Sequence, residues 1–433
     1  MRGDRVLITG VGTISPLGLD VSTHFERLLS GTSAARVSPR PEVSELSTPL
    51  EAGVEGFDRR TFIPDRMLRK LLSPSAAYAV TAAGAAIEDA GLGEQYDVLQ
   101  TSGLYVGSIA VDVDPEVFIP PFRESLNQQG DFEIGLFATR GMKMLDPLFL
   151  VKSLPNAGLC GISILHRVYG PNISLTNGPT SSLQAIALAA EAIRRGDAQV
   201  AVAGGYDSLL RMDSITENML AGRLTQQRDD PTGACRPFDE ERDGYFVGEG
   251  AAFVILEAES HARSRSARVY AEVAATAHTS QVAHAGNVAL LKRRESGGDV
   301  ALEHAARSVL QQANIEPGQL GVIFGDGLAT EADDIGEAAV VRNLVGSAPV
   351  EFTAATPLIG FVGAASGAFS LVHAALGLYN QVVPPLINCD RPDPRCEIHF
   401  TPQAHARAYE WALVCNSDFG LKNSAALLGS YAG

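Results

Sequence analysis

Positive charge is the first thing this chain of 433 residues is short of. Lysine and arginine together number 34 against 50 aspartates and glutamates, a formal net charge of −16 at neutral pH. A surface that holds nucleic-acid phosphates needs the opposite balance, so nucleic acid is not expected as a partner. The same acidity disfavours direct docking of an acidic carrier protein on this chain. Paired cysteines are missing too. Cys160, Cys235, Cys389, Cys396 and Cys415 form no Cys-x-x-Cys pair, and an odd number gives no disulfide framework. Reduced, mostly buried thiols in a cytoplasmic protein are the expectation. No long apolar stretch precedes the first strand signal, so no secretory leader is expected. The longest apolar tract, residues 359–379, contains Ser366, Ser370 and His373 among many small residues. It reads as a buried helix rather than a membrane span. No His/Cys/Asp cluster has metal-ligand spacing, Gly10-Val11-Gly12 is too short for a dinucleotide loop, and no Walker-type lysine occurs. Neither a metal nor a cofactor is therefore expected.

What is present is the composition of a compact α/β body: 45% hydrophobic residues and only 19% charged ones. Strand-like segments alternate with helical ones, which predicts mainly parallel strands covered on both faces. A seam near Glu257 divides the chain into two βα-rich halves, 1–256 and 257–433. The stretch from Asp112 to Lys143, with Pro115, Pro120 and Pro121, reads as irregular, and 280–299 as a loop. Residues 170–206 carry the sharpest signal. An apolar strand, Ile173 to Thr176, enters the turn Asn177-Gly178-Pro179, and an Ala-rich helix follows to about Arg194. A second strand, Gln199 to Ala203, is expected to end at Gly204-Gly205. Such a strand–turn–helix unit can expose one side chain at a helix start, where enzymes mount a nucleophile. Here that place holds Pro179.

This segment resembles the centre of the β-ketoacyl synthases, condensing enzymes of the thiolase fold. The resemblance runs through Arg5–Gly18, the Gly204-Gly205 strand end, Arg236-Pro-Phe-Asp-Glu-Glu-Arg-Asp-Gly244, Gly248-Glu249-Gly250, Val383–Asn388 and Cys415-Asn416-Ser417. It implies two similar βα halves in an α-β-α-β-α arrangement of layers. It also implies an acyl-accepting cysteine at position 179, where proline offers neither a nucleophile nor an N–H for an oxyanion. The family's first histidine falls on Asp326, in Val322-Ile-Phe-Gly-Asp326-Gly327, with Asp334 and Glu337 downstream. A carboxylate there is expected to be ionised and to repel an enolate. Thr356 takes the place of the family's lysine and Phe361 that of its second histidine. Each of His24, His166, His261, His278, His284, His304, His373, His399 and His405 reads singly as a surface or core residue.

Four altered positions on an intact scaffold point to a non-catalytic ketosynthase-like subunit. It resembles the chain-length factor of bacterial type II polyketide synthases, although glutamine is the commoner residue there at position 179. That likeness implies a heterodimer with a cysteine-bearing ketosynthase, a tunnel for the polyketide at the interface, and an acyl carrier protein docked mainly on the partner. Ala110, Val113, Phe118 and Phe149 are the tunnel candidates and Phe419 the gate candidate. The alternative is an enzyme with displaced chemistry, a decarboxylase or acyltransferase using Ser181, Ser182 or Cys160, although serines at a helix start ordinarily serve the helix. A free-standing acyl-binding protein is a third reading.

Overall fold

The computed structural model describes residues 4–109, 115–281, 300–418 and 422–431. Ten strands form its framework: β1 Val6–Ile14, β2 Gly103–Gly107, β3 Asn172–Leu175, β4 Val200–Ser208, β5 Val247–Ala258, β6 Ala271–Ser280, β7 Val322–Phe324, β8 Glu351–Thr353, β9 Trp411–Asp418 and β10 Lys422–Gly429. Six helices pack on them: α1 Pro74–Asp89, α2 Ala157–His166, α3 Ser181–Arg195, α4 Val300–Ala313, α5 Glu331–Val345 and α6 Ser366–Asn380. The strand order is β8-β7-β9-β10-β6-β1-β5-β4-β2-β3. Outward from the β1/β6 contact, both sides repeat one plan. On the first side β5 runs antiparallel to β1 and β4, while β2 runs parallel to β4 and β3. On the second, β10 is antiparallel to β6 and β9, and β7 is parallel to β9 and β8.

Each side thus has as many antiparallel as parallel pairs, which corrects the expectation of a mainly parallel sheet. A parallel pair needs a long crossover, usually a helix. β9 and β10 are only three residues apart in the chain, too few for a crossover, so the second strand must return antiparallel.

Period-two alternation explains the layers. In β5, Ala252, Val254 and Leu256 join the central cluster, while Ala251, Phe253 and Ile255 join the cluster under α1 and α2. In β9 and β10, Val414, Ala426 and Leu428 face the same centre, while Leu413, Ala425 and Leu427 face α4 and α5. Both faces of β1, β4 and β5 are therefore buried along their whole length. The centre itself is α3 and α6, packed on each other between the two sets of strands. This is the layered α-β-α-β-α arrangement. β4 does not stop at Gly204-Gly205 but continues to Ser208. The glycines serve close packing instead: a Cβ on Gly205 would stand 2.5 Å from the Ser182 Cβ.

Of the segment 112–143, expected to be irregular, the described part from 115 holds only short helical pieces, Pro115–Phe118, Ile119–Arg123, Ile134–Thr139 and the start of Gly141–Met144. Most of the loop expected over 280–299 lies outside the described residues. Among the described residues no helix is long and apolar enough to cross a membrane.

Candidate functional site

α3 starts at Ser181 after a 3₁₀ turn, Gly178–Thr180, with Pro179 buried at its middle. Gly178 has φ +66°, and a Cβ there would stand 3.0 Å from Asp418 Oδ2. The hydroxyls beside Pro179 are all engaged. Ser181 donates to the Gly178 carbonyl at 2.6 Å and accepts the Asn177 N–H at 2.7 Å. Ser182 accepts the Ala368 N–H at 3.0 Å. Thr180 donates to the Asn177 carbonyl and accepts from Gln184. All three residues are fully buried. These serines hold the start of α3 to its own turn and to α6 without capping the helix's first N–H groups. Cys160 is exposed on α2, in the outer helical layer rather than the central one.

The opposite wall begins where β7 ends and the chain passes through Gly325 to Asp326. The Asp326 carboxylate is buried and accepts Asn416 Nδ2–H at 2.8 Å and the Ser417 N–H at 2.7 Å, both from β9. Glu337 of α5 accepts the amides of Asp326 and Gly327 at 2.8 and 3.0 Å. Burial pushes Asp326 up to about 7, against the pull of its Asn416 and Ser417 bonds and with help from the charge of Asp333. Burial and the neighbouring Asp326 charge push Glu337 well above the carboxylate range. Burial thus favours the protonated form of Asp326 more than the sequence alone implies, while its two oxygens still accept the Asn416 and Ser417 N–H groups. Thr356 opens the short helix Thr356–Ile359 and donates its hydroxyl to the Asp326 carbonyl oxygen.

Asp326, Thr356, Gly360 and Ser366 are among the residues around a cavity of about 20 Å³, room for water but not for an acyl group. The Pro179 turn packs on β9, which Asp326 holds from the other side, and on the 3₁₀ turn Gly363–Ala365 ahead of α6. Phe361 does not line this cavity. Its ring joins a separate apolar cluster, 5.0 Å from the Tyr245 ring. Phe118 and Phe149 meet edge to face at 5.7 Å, beside Phe122 in the irregular segment. Ala110, Val113 and Phe419 lie outside the described residues.

Reading each histidine singly missed a pair. His24 Nε2 lies 2.7 Å from His373 Nε2, and both residues are buried. They are 349 positions apart, so no spacing could join them. The usable signal was an imidazole in the middle of an otherwise apolar helix.

Comparison with known proteins bears on the whole length of the chain. Residues 3–262 match the β-ketoacyl synthase N-terminal domain family, and residues 270–390 match the C-terminal domain family. A 3-oxoacyl-[acyl-carrier-protein] synthase 2 of Rhizobium meliloti is 31% identical, the match covering 99% of each chain. The protein of the same name from Vibrio harveyi is 28% identical over 98% of each. Among solved structures, the ishigamide ketosynthase/chain length factor superposes with a TM-score of 0.85 at 24% identity, covering 99% of this chain and 100% of that one. A type II polyketide acyl-carrier protein in complex with its ketosynthase, bound to the hexaketide, contains a chain that superposes with a TM-score of 0.81 at 22% identity, with the same coverage.

Proposed function

The chain belongs to the β-ketoacyl synthase family of condensing enzymes, and from that premise we propose that it is a non-catalytic partner subunit, a chain-length factor. In this reading it pairs with a cysteine-bearing ketosynthase in type II polyketide synthesis and shapes the tunnel into which the chain grows, while the acyl carrier protein docks mainly on the partner. The observation that carries it is the start of α3. The turn that mounts the family's nucleophile holds Pro179, and the serines beside it are buried and already hydrogen-bonded. Asp326, Thr356 and Phe361, in the places of the family's other catalytic groups, leave no imidazole or lysine at those positions.

The pairing is supported by β3, an edge strand that among the described residues pairs only with β2. Ile173 on that strand, with Ile164 and Tyr169 just before it, presents apolar side chains that are 40%, 59% and 57% exposed. An apolar strand edge of this kind invites a partner strand. Phe118 and Phe149, with Ala110 and Val113, are assigned to the tunnel wall, and Phe419 to the gate. The two halves, 1–256 and 257–433, are the units of the scaffold.

The test is co-expression with a cysteine-bearing ketosynthase, followed by native and intact mass spectrometry in the presence of an acyl-carrier thioester. The expected result is a one-to-one complex with the acyl group on the partner alone. A stoichiometric acyl adduct on Ser181, Ser182 or Cys160 would establish displaced chemistry instead. A well-folded monomer that ignores the partner at micromolar concentration would overturn the pairing.

A further inference from the structure

The helix Val21–Leu29 is capped by Asp20, which accepts the Thr23 N–H, and it turns His24 inward. There His24 Nε2 meets His373 Nε2, from the middle of α6, at 2.7 Å. The two rings stack with centroids 5.0 Å apart and 16° between planes, and the Phe369 ring lies 5.7 Å from His24 on the same helix face. His24 Nδ1 lies 2.6 Å from Ser15 Oγ, at the end of β1. Leu17 N–H donates to Ser15 Oγ at 3.1 Å. The Ser15 hydroxyl either donates to His24 Nδ1 or accepts from it and turns its own proton to the Gly18 carbonyl 3.5 Å away. In both arrangements one Nε2 donates to the other, so one ring of the pair carries its proton on Nε2 and the other on Nδ1. His373 also lines a cavity of about 10 Å³ together with Gly325, Ala355 and Ser370. Those three residues line the cavity at Asp326 as well.

We infer that Ser15, His24 and His373 form an acid-operated latch that fastens the helix Val21–Leu29 to α6 and so fixes one wall of the candidate site. Two Nε2 atoms at this separation share one proton. Protonating both rings sets two N–H donors face to face, and the pair must then part. The surroundings offer no compensation. Among the described residues Asp20 is the one charged group acting on His24; Glu26 and Arg27 of the same helix are exposed. From β7, α6, residues 353–355 and Pro384, the packed neighbours Phe324, Phe369, Ser370, Thr353, Ala354 and Pro384 are uncharged, and Asp326 stands beyond Gly325. Burial accordingly holds His24 down to about 4, and burial together with the charge His24 would carry holds His373 well below the ordinary value of 6.5. The latch is closed and fully stabilising above pH 6.5. Below that the unfolded chain takes up protons that the folded chain refuses, and the stabilisation is lost as pH falls toward about 4.

The experiment is long-range ring spectroscopy of the full chain carrying ¹⁵N-histidine, from about pH 8 down to about pH 3.5. Of the nine imidazoles, His24 and His373, told apart from the likewise depressed His166 and His278 by the loss of their signals in the single variants His24→Leu and His373→Phe, are expected to stay neutral to about pH 5, one protonated on Nε2 and one on Nδ1, and then to change together. Either ring of the pair titrating near 6.5, or each titrating without the other, overturns the latch. A second measurement uses the double variant His24→Leu/His373→Phe in urea unfolding. Below 6.5 the unfolding constant of the wild type is expected to rise relative to the variant by up to about a hundredfold per pH unit, the mark of two protons. A constant ratio would equally refute it. If the variant does not fold, the wild-type ring spectra alone decide.

Discussion

α3 and α6 are both 15 residues long, both begin with serine, and both follow a 3₁₀ turn opened by a left-handed glycine: Gly178 at φ +66° and Gly363 at φ +51°. Before α6, Asp207 from β4 lies against Gly363 and accepts the Ala364 N–H at 2.8 Å. Before α3, Asp418 from β9 lies against Gly178 in the same relation, but the next residue is Pro179, which has no N–H to offer it. The serines differ as much. Ser181 makes two hydrogen bonds, whereas the buried Ser366 hydroxyl has no partner among the described residues and lines the small cavity. The turn where a nucleophile is expected is thus the sealed one, and the loosely satisfied groups sit at its counterpart. Catalysis of acyl transfer needs free donors and room at the nucleophile. In the proposed reading a turn with neither serves as scaffold.

The largest effect that could break this comparison comes from Asp326, which faces the α6 end. Its carboxyl is raised in the fold from 3.8 to about 7. Between those values the folded protein keeps a proton that the unfolded chain has released. The contribution is therefore greatest at the acid end, falls as pH rises, and is gone above about 7. Asp334, also pushed up to about 7 by burial, acts with the same sign, while His24 and His373 act with the opposite one. The difference between wild type and Asp326→Asn reads Asp326 together with the Glu337 carboxyl on which its charge acts. The wild type is expected to lose up to about 1.4 kcal/mol per pH unit relative to the variant across pH 5 to 7. Urea unfolding at several pH values measures it. Parallel curves would mean that Asp326 is ionised in the fold.

Next in size is the seating of α3. A Cβ on Gly107 would stand 2.4 Å from the backbone carbon of Ser181 and the nitrogen of Ser182. Backbone cannot swing aside as a side chain can, so Gly107→Ala must push the helix start off β2. An overpacking cost of ~3 kcal/mol is expected, read from the midpoint of denaturant unfolding. A loss under ~1 kcal/mol would show that this helix start yields, and the contrast with α6 would weaken.

Much of this was legible in the residues. Pro179 announces both the missing nucleophile and the missing N–H, and Ser181 and Ser182 read as helix-start residues because of where they fall. The layered fold followed from motifs in order. What stayed hidden depends on contacts between distant segments. The charge state of Asp326 is set by its burial against β9, which nothing near residue 326 announces. Gly204-Gly205 read as a strand end because glycine ordinarily weakens a strand, yet here it lets α3 approach. His24 and His373 become a pair only once the first helix folds onto α6.

The smallest expected effect sharpens the comparison most, because it sets two serines at equivalent positions against each other. Removing the Ser181 hydroxyl leaves the part-buried Asn177 N–H without its acceptor, so Ser181→Ala is expected to cost ~1–2 kcal/mol. Removing the Ser366 hydroxyl deletes a buried polar group that has no partner among the described residues. Alanine also favours the helix interior by a few tenths of a kcal/mol, roughly the spacing of the propensity scale. Ser366→Ala is therefore expected to leave stability unchanged or to raise it by up to ~1 kcal/mol, measured against Ser181→Ala in the same urea titration. If instead both variants lose stability equally, the Ser366 hydroxyl is bonded to whatever fills the cavity beside it. The two helix starts would then be equally satisfied, and the asymmetry between the halves would rest on Pro179 alone.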